Sequence, residues 1–330
     1  MNFSLKYQRT IKQARDMVKS PLELSNSMML SVAEKSPNGL RERITQTVAR
    51  PGKRLRSILL FLLVQSNGEI KNLERAARVA ASVEMLHLAS LVHDDVIDRS
   101  EFRRGQRSLH SIFGNKIAVL AGDYMLAQSL IFVVNEEDKR IPQMLASSAS
   151  LLVAGEILEI DLAGKSDISF EEYMEAVKGK TGSLLMSCAK SGAILAGYCD
   201  DIVEDCGNLG LHFGIAFQII DDILDYGIGA ENLGKKKFED LQNGIITLPL
   251  LLYFQKKPKD EMRHLIKNAA EMQTANLIVE KLKEANSFEE AKAIACDHLS
   301  QATKILEKLP KSPVNTLLKD FFKAMSERKN

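Results

Sequence analysis

The chain has 330 residues, of which 45% are hydrophobic and 26% charged, a composition typical of a globular protein with ample material for a core. Its formal net charge of +1 gives no overall positive field, which argues against nucleic acid as a partner. The first residues lack the apolar stretch of a secretory signal, and the longest wholly aliphatic or aromatic run, residues 58–64, is far too short to span a membrane. We therefore expect a cytoplasmic protein.

Helical periodicity dominates the chain, whereas strand-like alternation is scarce. Ser169 and the pair Asp200-Asp201 are typical helix starts, and breakers such as Asn67-Gly68 separate the helical segments. We predict helices over residues 3–19, 53–66, 71–98, 115–135, 140–163, 170–181, 182–197, 201–227, 247–256, 259–268, 271–284, 286–308 and 313–327. The pattern favours an all-α fold, with residues 1–330 in a single domain built as a large helical bundle.

Two aspartate triplets with the same spacing lie in segments that are apolar on most of their circumference. They are the first aspartate motif, Asp94, Asp95 and Asp98 in LVHDDVID, and the second aspartate motif, Asp221, Asp222 and Asp225 in FQIIDDILD. Residues four apart share a helix face, where like charges repel. Helices apolar all round belong at the centre of a bundle, so two of them could set carboxylate clusters across a cavity. Mg²⁺ is the ion expected to compensate such carboxylates while keeping places for water and phosphate oxygens.

The sequence argues against three simpler interpretations of its motifs. A single triplet would indicate a solvated helix face or an N-cap cluster, but two copies with apolar flanks argue against it. A calcium loop requires a glycine-containing spacing of about twelve residues, which is absent. Gly179-Lys180-Thr181 resembles the end of a P-loop, but Met174 stands where the loop needs a glycine, so we reject nucleotide binding of that kind.

Basic residues flank both aspartate motifs. They are Lys53 and Arg56 in PGKRLR, Arg103 and Arg104 after the first motif, Lys180 beside Thr181 in VKGKTGSL, and Lys235 in LGKKK. Taken singly, each is a surface charge. As a set around two acidic clusters, they indicate phosphate clamps beside a magnesium site.

The ordered set of motifs resembles that of the trans-type polyprenyl diphosphate synthases, the head-to-tail isoprenyl transferases. The match runs from about residue 45 to residue 250 and comprises GKRLR, HLASLVHDDVID, RRG, FGNKIAVLAGDYML, GEILEID, KTGSLL, FQIIDDILD, LGK and DLQNGIITLP. The resemblance implies a helical bundle of the isoprenoid (class I terpenoid) synthase type. It also implies an enzyme that repeatedly condenses an allylic diphosphate, such as farnesyl or geranylgeranyl diphosphate, with isopentenyl diphosphate, releasing pyrophosphate.

The resemblance also assigns roles to individual residues. Asp94 and Asp98 would bind two Mg²⁺, with Asp95 assisting through water, and Asp221 would bind a third, with Asp222 and Asp225 in its water shell. The contacts to the allylic diphosphate would be Arg103, Lys180, Thr181, Gln218 and Lys235, and those to isopentenyl diphosphate would be Lys53, Arg56, His87 and Arg104. The aspartates and Lys180 would act in catalysis by stabilising charge on the leaving diphosphate. Without the resemblance, His87 would be taken as a core histidine, as His93 still is.

Two positions depart from the family pattern. Arg99 stands where relatives usually carry an acidic residue, and Ile245 stands where many have a lysine before TLP. We expect the grip on diphosphate near Ile245 to rest on Lys235, with Lys236 and Lys237 as substitutes.

Small residues upstream of the first aspartate motif bear on the length of the product. Ala89 and Ser90 stand where bulky aromatic residues block the tunnel in short-chain members of the family, so we expect a long-chain enzyme of heptaprenyl or octaprenyl type. Close helix packing is the alternative reason for small residues here. Ile131 and Phe132 are candidates for the tunnel floor because they are bulky.

Several alternatives stay open at this point. A shorter-chain farnesyl or geranylgeranyl diphosphate synthase would use the same chemistry, and EMLHLASLVHDDVID also resembles the catalytic subunit of two-component heptaprenyl synthases. The intact second motif and the absence of tryptophan argue against a terpene cyclase, and the complete site argues against a non-catalytic subunit. We expect a homodimer, or pairing with a non-catalytic partner, with at most peripheral membrane contact and a product used as a quinone side chain.

Overall fold

The computed structural model describes residues 3–50, 52–103, 105–165, 167–228, 238–258, 262–266 and 272–327. The helices of the first half are α1 (Phe3–Met17), α2 (Lys19–Lys35), α3 (Asn38–Ala49), α4 (Leu55–Gln65), α5 (Leu73–Ile97), α6 (Leu109–Phe113), α7 (Asn115–Val133) and α8 (Arg140–Leu162). Those of the second half are α9 (Phe170–Val177), α10 (Ser183–Ala196), α11 (Asp200–Asp225), α12 (Glu239–Gln242), α13 (Leu248–Lys256), α14 (Met262–Leu265), α15 (Met272–Glu284), α16 (Ser287–Leu306) and α17 (Pro313–Ser326). The all-α prediction is confirmed, apart from a short ribbon of β1 (Phe102–Arg103) and β2 (Gln106–Arg107).

The two helices that carry the aspartate motifs lie in the interior of the bundle. α5 packs against α7, α2 and α4, and α11 packs against α10 and α16. Both are buried along most of their length, as expected for helices without a wide polar face. Asn72 caps α5 by accepting a hydrogen bond of 2.9 Å from the amide of Arg75. The bundle therefore presents both motifs from rigid central elements.

The short helices α6 and α12 were not predicted, and neither were the longer helices α2 and α3. Serines, Asn26 and Pro21 weaken the local helical signal in α2, and α3 begins at Asn38-Gly39, a pair that favours a turn. Packing overrides these propensities, because Leu22, Ser25 and Met29 form one buried face of α2. With α5 and α7, these helices enclose what we name the second hydrophobic cluster. It comprises Met29, Ala33, Ile44, Val48, Ala81, Met85, Leu88, Ala89 and Met125.

A π-helical turn, Lys178–Gly182, joins α9 to α10 where two successive α-helices were predicted. α9 begins as expected at Ser169, which forms a capping box with Glu172. Gly155 of α8 and Gly179 of the turn allow the two backbones to touch. A Cβ atom on Gly155 would lie 2.5 Å from the amide nitrogen of Lys180. π turns are rare in proteins, and many of them occur at functional sites. This one therefore indicates that the region around Lys180 is functional.

Candidate active site

The first aspartate motif lies at the C-terminal end of α5. Asp94 is half-buried and Asp95 is buried, whereas Asp98 follows the last helical residue and is exposed. Burial, reinforced by the nearby carboxylate of Glu156, raises the pKa of Asp94 to about 7. Burial also raises the pKa of Asp95 and Asp98, although Arg103 opposes the rise at Asp95 and Lys180 opposes it at Asp98. The neighbouring cations therefore do not fully compensate the negative charge of the ionised motif.

The β-ribbon places Arg103 against the first motif. Arg103 Nε donates a hydrogen bond of 2.6 Å to Oδ1 of Asp95. Arg50, which the sequence analysis missed, donates from the end of α3 to the carbonyl oxygen of Arg107 on β2. Contacts from Asp95 and Arg50 thus hold the two strands of the ribbon, which fixes the position of Arg103. Arg104 itself lies outside the described residues.

The second aspartate motif is held by a chain of hydrogen bonds. Tyr173 donates from its hydroxyl to Oδ2 of Asp222 at 2.7 Å, and Gln218 Nε2 donates to Oδ1 at 2.9 Å. Thr181 Oγ1 in turn donates to Gln218 Oε1 at 2.7 Å. Burial raises the pKa of Asp222 to about 7, against the lowering effect of Tyr173 and Gln218. The chain brings Asp222, Gln218 and Thr181 together, and Tyr173 is a residue that sequence reasoning missed.

Asp225 has a local structural role. Its carboxylate accepts hydrogen bonds from the amides of Glu239 (3.2 Å) and Asp240 (3.3 Å), so it caps the short helix α12. Asp240 is a further acidic side chain that sequence reasoning missed. Burial first, then Asp225 and Asp222, raise the pKa of Asp240 well above its ordinary range. The DLQNG stretch therefore brings another acidic group to the second motif.

Lys180 connects the surroundings of the two motifs. Its ammonium forms ion pairs with Glu156 (2.9 Å) and Glu159 of α8. Burial alone would lower the pKa of Lys180, but these two carboxylates outweigh burial and raise it. The same ammonium lowers the pKa of Asp94, Asp98 and Asp240. One cation therefore lies within electrostatic range of acids from both ends of the site.

A small cavity of about 60 Å³ lies beside Lys180 and the second motif. Its wall includes Glu159, Tyr173, Gln218, Asp222, Asp240 and Ile245. Ile245, one of the two departures from the family pattern noted above, therefore lies beside acidic groups. Lys235, Lys236 and Lys237, the expected substitutes, lie outside the described residues.

A buried glutamate of α5, Glu84, contacts the basic segment around Arg54 that precedes α4. Arg54 adopts a left-handed conformation (φ 52°), and its Nη1 lies 3.3 Å from Oε2 of Glu84. The amide and hydroxyl of Ser57 both donate to Oε1 of Glu84 at 3.1 Å. Glu84, which is 3% exposed, is another residue that sequence reasoning missed. Its position three residues before His87 on α5 places it on the helix face that leads toward Asp94.

The clamp residues on this segment differ in their surroundings. Lys53 is exposed, and Arg56 is half-buried. Burial lowers the pKa of Arg56, while Glu84 and Asp221 oppose the shift, so Arg56 lies within electrostatic range of the second motif. Arg56 Nε is buried and has no hydrogen-bond partner among the residues that the structure describes. A donor in this state suits an anionic ligand.

The residues expected to set product length lie along α5 and α7. Ala89 is 2% exposed and belongs to the second hydrophobic cluster, and Ser90 donates to the carbonyl oxygen of His87 at 2.9 Å. Phe132 packs against the same cluster. Ile131 is 58% exposed, because it lies on the outer face of α7. The expectation that Ile131 helps to form a tunnel floor within the chain is therefore wrong.

His93 is half-buried, and its Nε2 lies 3.3 Å from Oδ1 of Asp123 on α7. A Cβ atom on Gly122 would collide with the ring of His93. The contact between α5 and α7 therefore depends on a glycine at this position. This packing role agrees with the structural reading of His93.

The donor set of the site fits a hard divalent cation. The side chains around the two motifs offer carboxylate oxygens, and burial makes these groups costly to ionise without added positive charge. Among the described residues, no three acidic, histidine or cysteine side chains already converge on one point. Mg²⁺ fits such a set because it binds few carboxylates and completes its shell with water and phosphate oxygens.

An all-helical bundle that presents two aspartate motifs from its central helices, with Lys180 and a cavity beside the second of them, has the residue types that bind phosphate groups through divalent cations. The comparison with protein families matches residues 37–285 to the polyprenyl synthetase family. The chain belongs to this family. It is 33% identical to solanesyl-diphosphate synthase 2 of Oryza sativa subsp. japonica over 312 residues, covering 93% of this chain and 77% of that protein.

Solved structures share the fold along nearly the whole chain. A polyprenyl synthase from Caulobacter crescentus CB15, complexed with calcium and isoprenyl diphosphate, superposes with a TM-score of 0.88 at 26% identity, covering 97% of this chain and 98% of that one. Geranylgeranyl pyrophosphate synthetase from Pyrococcus horikoshii Ot3 also gives 0.88, at 29% identity, covering 98% and 100%. The isoprenoid synthase type of bundle implied by the motifs is confirmed.

Proposed function

We propose that the protein is a Mg²⁺-dependent trans-polyprenyl diphosphate synthase that adds isopentenyl diphosphate repeatedly to an allylic diphosphate and releases pyrophosphate. The observation that carries the proposal is the position of Lys180, which lines one cavity with Asp222 of the second motif and whose ammonium acts on Asp94 and Asp98 of the first. A cation in this position suits a diphosphate held between the motifs. The complex of the Caulobacter relative with calcium and isoprenyl diphosphate supports the same ligand class.

The proposed roles of individual residues follow the resemblance stated in the sequence analysis. We propose that Asp94, Asp98 and Asp221 bind three Mg²⁺, and that Lys180, Arg103, Thr181 and Gln218 contact the allylic diphosphate. Lys53, Arg56 and His87 would hold isopentenyl diphosphate. Bound Mg²⁺ would supply Lewis-acid stabilisation of the leaving group. Arg104 and Lys235 keep their proposed roles on the basis of the sequence alone.

The side chains of the protein would stabilise the charge that develops on the leaving group and exclude water from the allylic cation. Cleavage of the allylic carbon–oxygen bond leaves an allylic cation and pyrophosphate, and Lys180 and Arg103 stabilise the negative charge that develops. The double bond of isopentenyl diphosphate then forms the new carbon–carbon bond, and a proton is lost to the departing pyrophosphate. The apolar walls of α5 and α11 exclude water, which would convert the cation to an alcohol.

A long-chain product is supported by sequence more than by fold. The fold is shared with a geranylgeranyl synthetase, whose name denotes a shorter product, whereas the curated relative compared above is a solanesyl synthase. Ala89 adds to the argument, because a methyl side chain at this position would not block a tunnel beside the flexible methionines of the second hydrophobic cluster.

The test is incubation of the purified protein with farnesyl diphosphate, labelled isopentenyl diphosphate and Mg²⁺, followed by sizing of the lipids. We expect polyprenyl chains longer than geranylgeranyl, and their loss with EDTA. Products no longer than geranylgeranyl would favour the shorter-chain alternative. Conversion without isopentenyl diphosphate would indicate a cyclase, and turnover only after addition of a second protein would indicate a two-component enzyme.

We propose that the protein works as a homodimer through the outer faces of α7 and α8. Both helices are long and apolar enough to cross a membrane by length and composition, yet they pack into the bundle and leave apolar faces exposed. The exposed side chains include Leu120, Leu130, Ile131, Leu151, Val153, Ile157 and Ile160. A second copy would cover these faces. Sedimentation of Ile157→Glu should show a monomer if the proposal holds, whereas an unchanged mass would contradict it.

A further inference from the structure

The N-terminal helix α1 contacts the segment that carries Lys53. Arg15 Nη2 donates a hydrogen bond of 2.8 Å to the carbonyl oxygen of Gly52 and lies 3.4 Å from that of Lys53. The ammonium of Lys53 lies 5.0 Å from the centre of the Tyr7 ring, within the range of a cation–π interaction. One helix therefore contacts both the backbone and the side chain of Lys53, although Arg15 and Lys53 are 38 positions apart.

α1 packs firmly against α17, so its contacts with the segment around Lys53 come from a helix with a defined position. The ring of Tyr7 is 3% exposed and stacks on Phe321 of α17 with centroids 6.5 Å apart. Lys6 forms an ion pair of 2.7 Å with Glu327 at the end of α17. Because Ala14 and Val18 are also fully buried, the turn that carries Arg15 has a defined position on the bundle.

The segment before α4 depends on contacts from outside itself. Gly52 and Lys53 belong to no helix or strand, and Arg54 adopts a left-handed conformation that only the surroundings can maintain. Glu84 holds Arg54 from the side of α5, as described above. Arg15 supplies a second contact from α1, at the two carbonyl groups that flank the Cα atom of Lys53. The contacts from α5 and α1 together hold the segment in one backbone conformation.

We propose that Arg15 is a positioning residue for Lys53, and through it for the diphosphate of isopentenyl diphosphate. The inference rests on the proposed function, in which Lys53 contacts that substrate. Arg15 holds the two carbonyl groups so that the segment presents the Lys53 ammonium without first ordering the chain. Substrate binding then avoids the entropy cost of ordering the segment. Arg15 is not among the proposed substrate contacts, so its effect should be confined to binding of isopentenyl diphosphate.

The experiment varies isopentenyl diphosphate at saturating farnesyl diphosphate and Mg²⁺ with the full-length chain. We expect Arg15→Gln to raise the KM for isopentenyl diphosphate about threefold to tenfold, the range of one charge-assisted hydrogen bond at an exposed position. The kcat and the KM for farnesyl diphosphate should stay unchanged. Arg15→Lys should restore part of the loss. Arg9→Gln, which alters another exposed arginine of α1, is the matched control and should behave as the unaltered protein.

The decisive measurement uses the double variant that combines Arg15→Gln with Lys53→Met. If Arg15 acts through Lys53, Arg15→Gln should add no further rise in KM once Lys53 is replaced. An equal rise in both backgrounds, or no rise in the single variant when Lys53→Met has a clear effect, would overturn the positioning proposal alone. Absence of any effect of Lys53→Met on this KM would instead refute the assigned role of Lys53. Melting temperatures of all variants separate these outcomes from a loss of fold.

Discussion

The hydroxyl of Tyr173 donates a hydrogen bond of 2.7 Å to Oδ2 of Asp222, and both side chains are buried. This contact joins α9 to the second aspartate motif and lowers the pKa of Asp222 against the effect of burial. Tyr173 therefore favours the ionised form of a carboxylate that is otherwise costly to ionise.

Tyr173→Phe should weaken the fold and shift the pH dependence of activity. Loss of the hydrogen bond should cost about 1–3 kcal/mol of unfolding free energy. The pKa of Asp222 should rise further, so the acidic limb of the pH–rate profile should move to higher pH. Tyr198→Phe removes a tyrosine hydroxyl that bonds Ser66 away from the site, so it should leave the profile unchanged. Equal profiles for both variants would contradict the role of Tyr173.

The metal-free protein should become less stable as the pH rises toward neutrality. Because the pKa of Asp94 is raised to about 7 from its ordinary 3.8, the folded state binds more protons than the unfolded state between these values. Stability therefore falls as the pH rises from about 4 to about 7 and levels off above 7. In EDTA, Asp94→Asn should raise the melting temperature at about pH 8, and by a smaller amount at about pH 5, where less of this stability has been lost. Mg²⁺ with pyrophosphate should raise the melting temperature of the unaltered protein at pH near 8, and this gain should shrink in Asp94→Asn.

Ile245→Lys should strengthen binding of the allylic diphosphate. Ile245 lines the cavity beside Asp222 and Asp240, where an ammonium would favour their ionised forms. We expect a lower KM for farnesyl diphosphate and a higher melting temperature of the metal-free protein above neutral pH. Ile245→Met is the uncharged control. A KM that falls equally in both variants would show that charge is not the cause.

Ala89→Phe should shorten the product. The new ring would intrude among Met29, Met85 and Met125, at a cost to stability of about 1–3 kcal/mol for overpacking. Chromatography of the lipids should show shorter chains, and Phe132→Ala should show longer ones. Ile131→Ala, on the exposed face of α7, should not change the length. Unchanged products from Ala89→Phe would refute the assignment of the tunnel to this side of α5.

Glu84→Gln should destabilise the protein by leaving the buried guanidinium of Arg54 without its carboxylate. Breaking a buried ion pair at one partner costs about 3–5 kcal/mol. Urea denaturation of the single variants and of Glu84→Gln with Arg54→Met measures the coupling. We expect the double variant to lose less stability than the sum of the two singles, and strict additivity would contradict the pairing.

The sequence was sufficient for the features that depend on residue type and period. The aspartate motifs, the central helices α5 and α11, and the capping box at Ser169 all follow from local pattern. α2 could not be predicted, because its helical state depends on packing against α5. Glu84 and Tyr173 were missed for a related reason, since a lone polar residue in an apolar run gives no sign of its partner. Each meets that partner only through tertiary contact, 27 and 49 positions away.

The π-helical turn has a consequence for how this chain tolerates insertions and deletions. A π turn contains one residue more than the α-helical path it replaces, so removing one residue from Lys178–Gly182 would restore an uninterrupted α-helix through α9 and α10. Every side chain beyond the deletion would then rotate by about 100° relative to α9. Tyr173 would keep its place before the deletion, whereas Thr181 would turn away from Gln218. Alignment gaps at this position should therefore be rare among active relatives, even where individual residues differ.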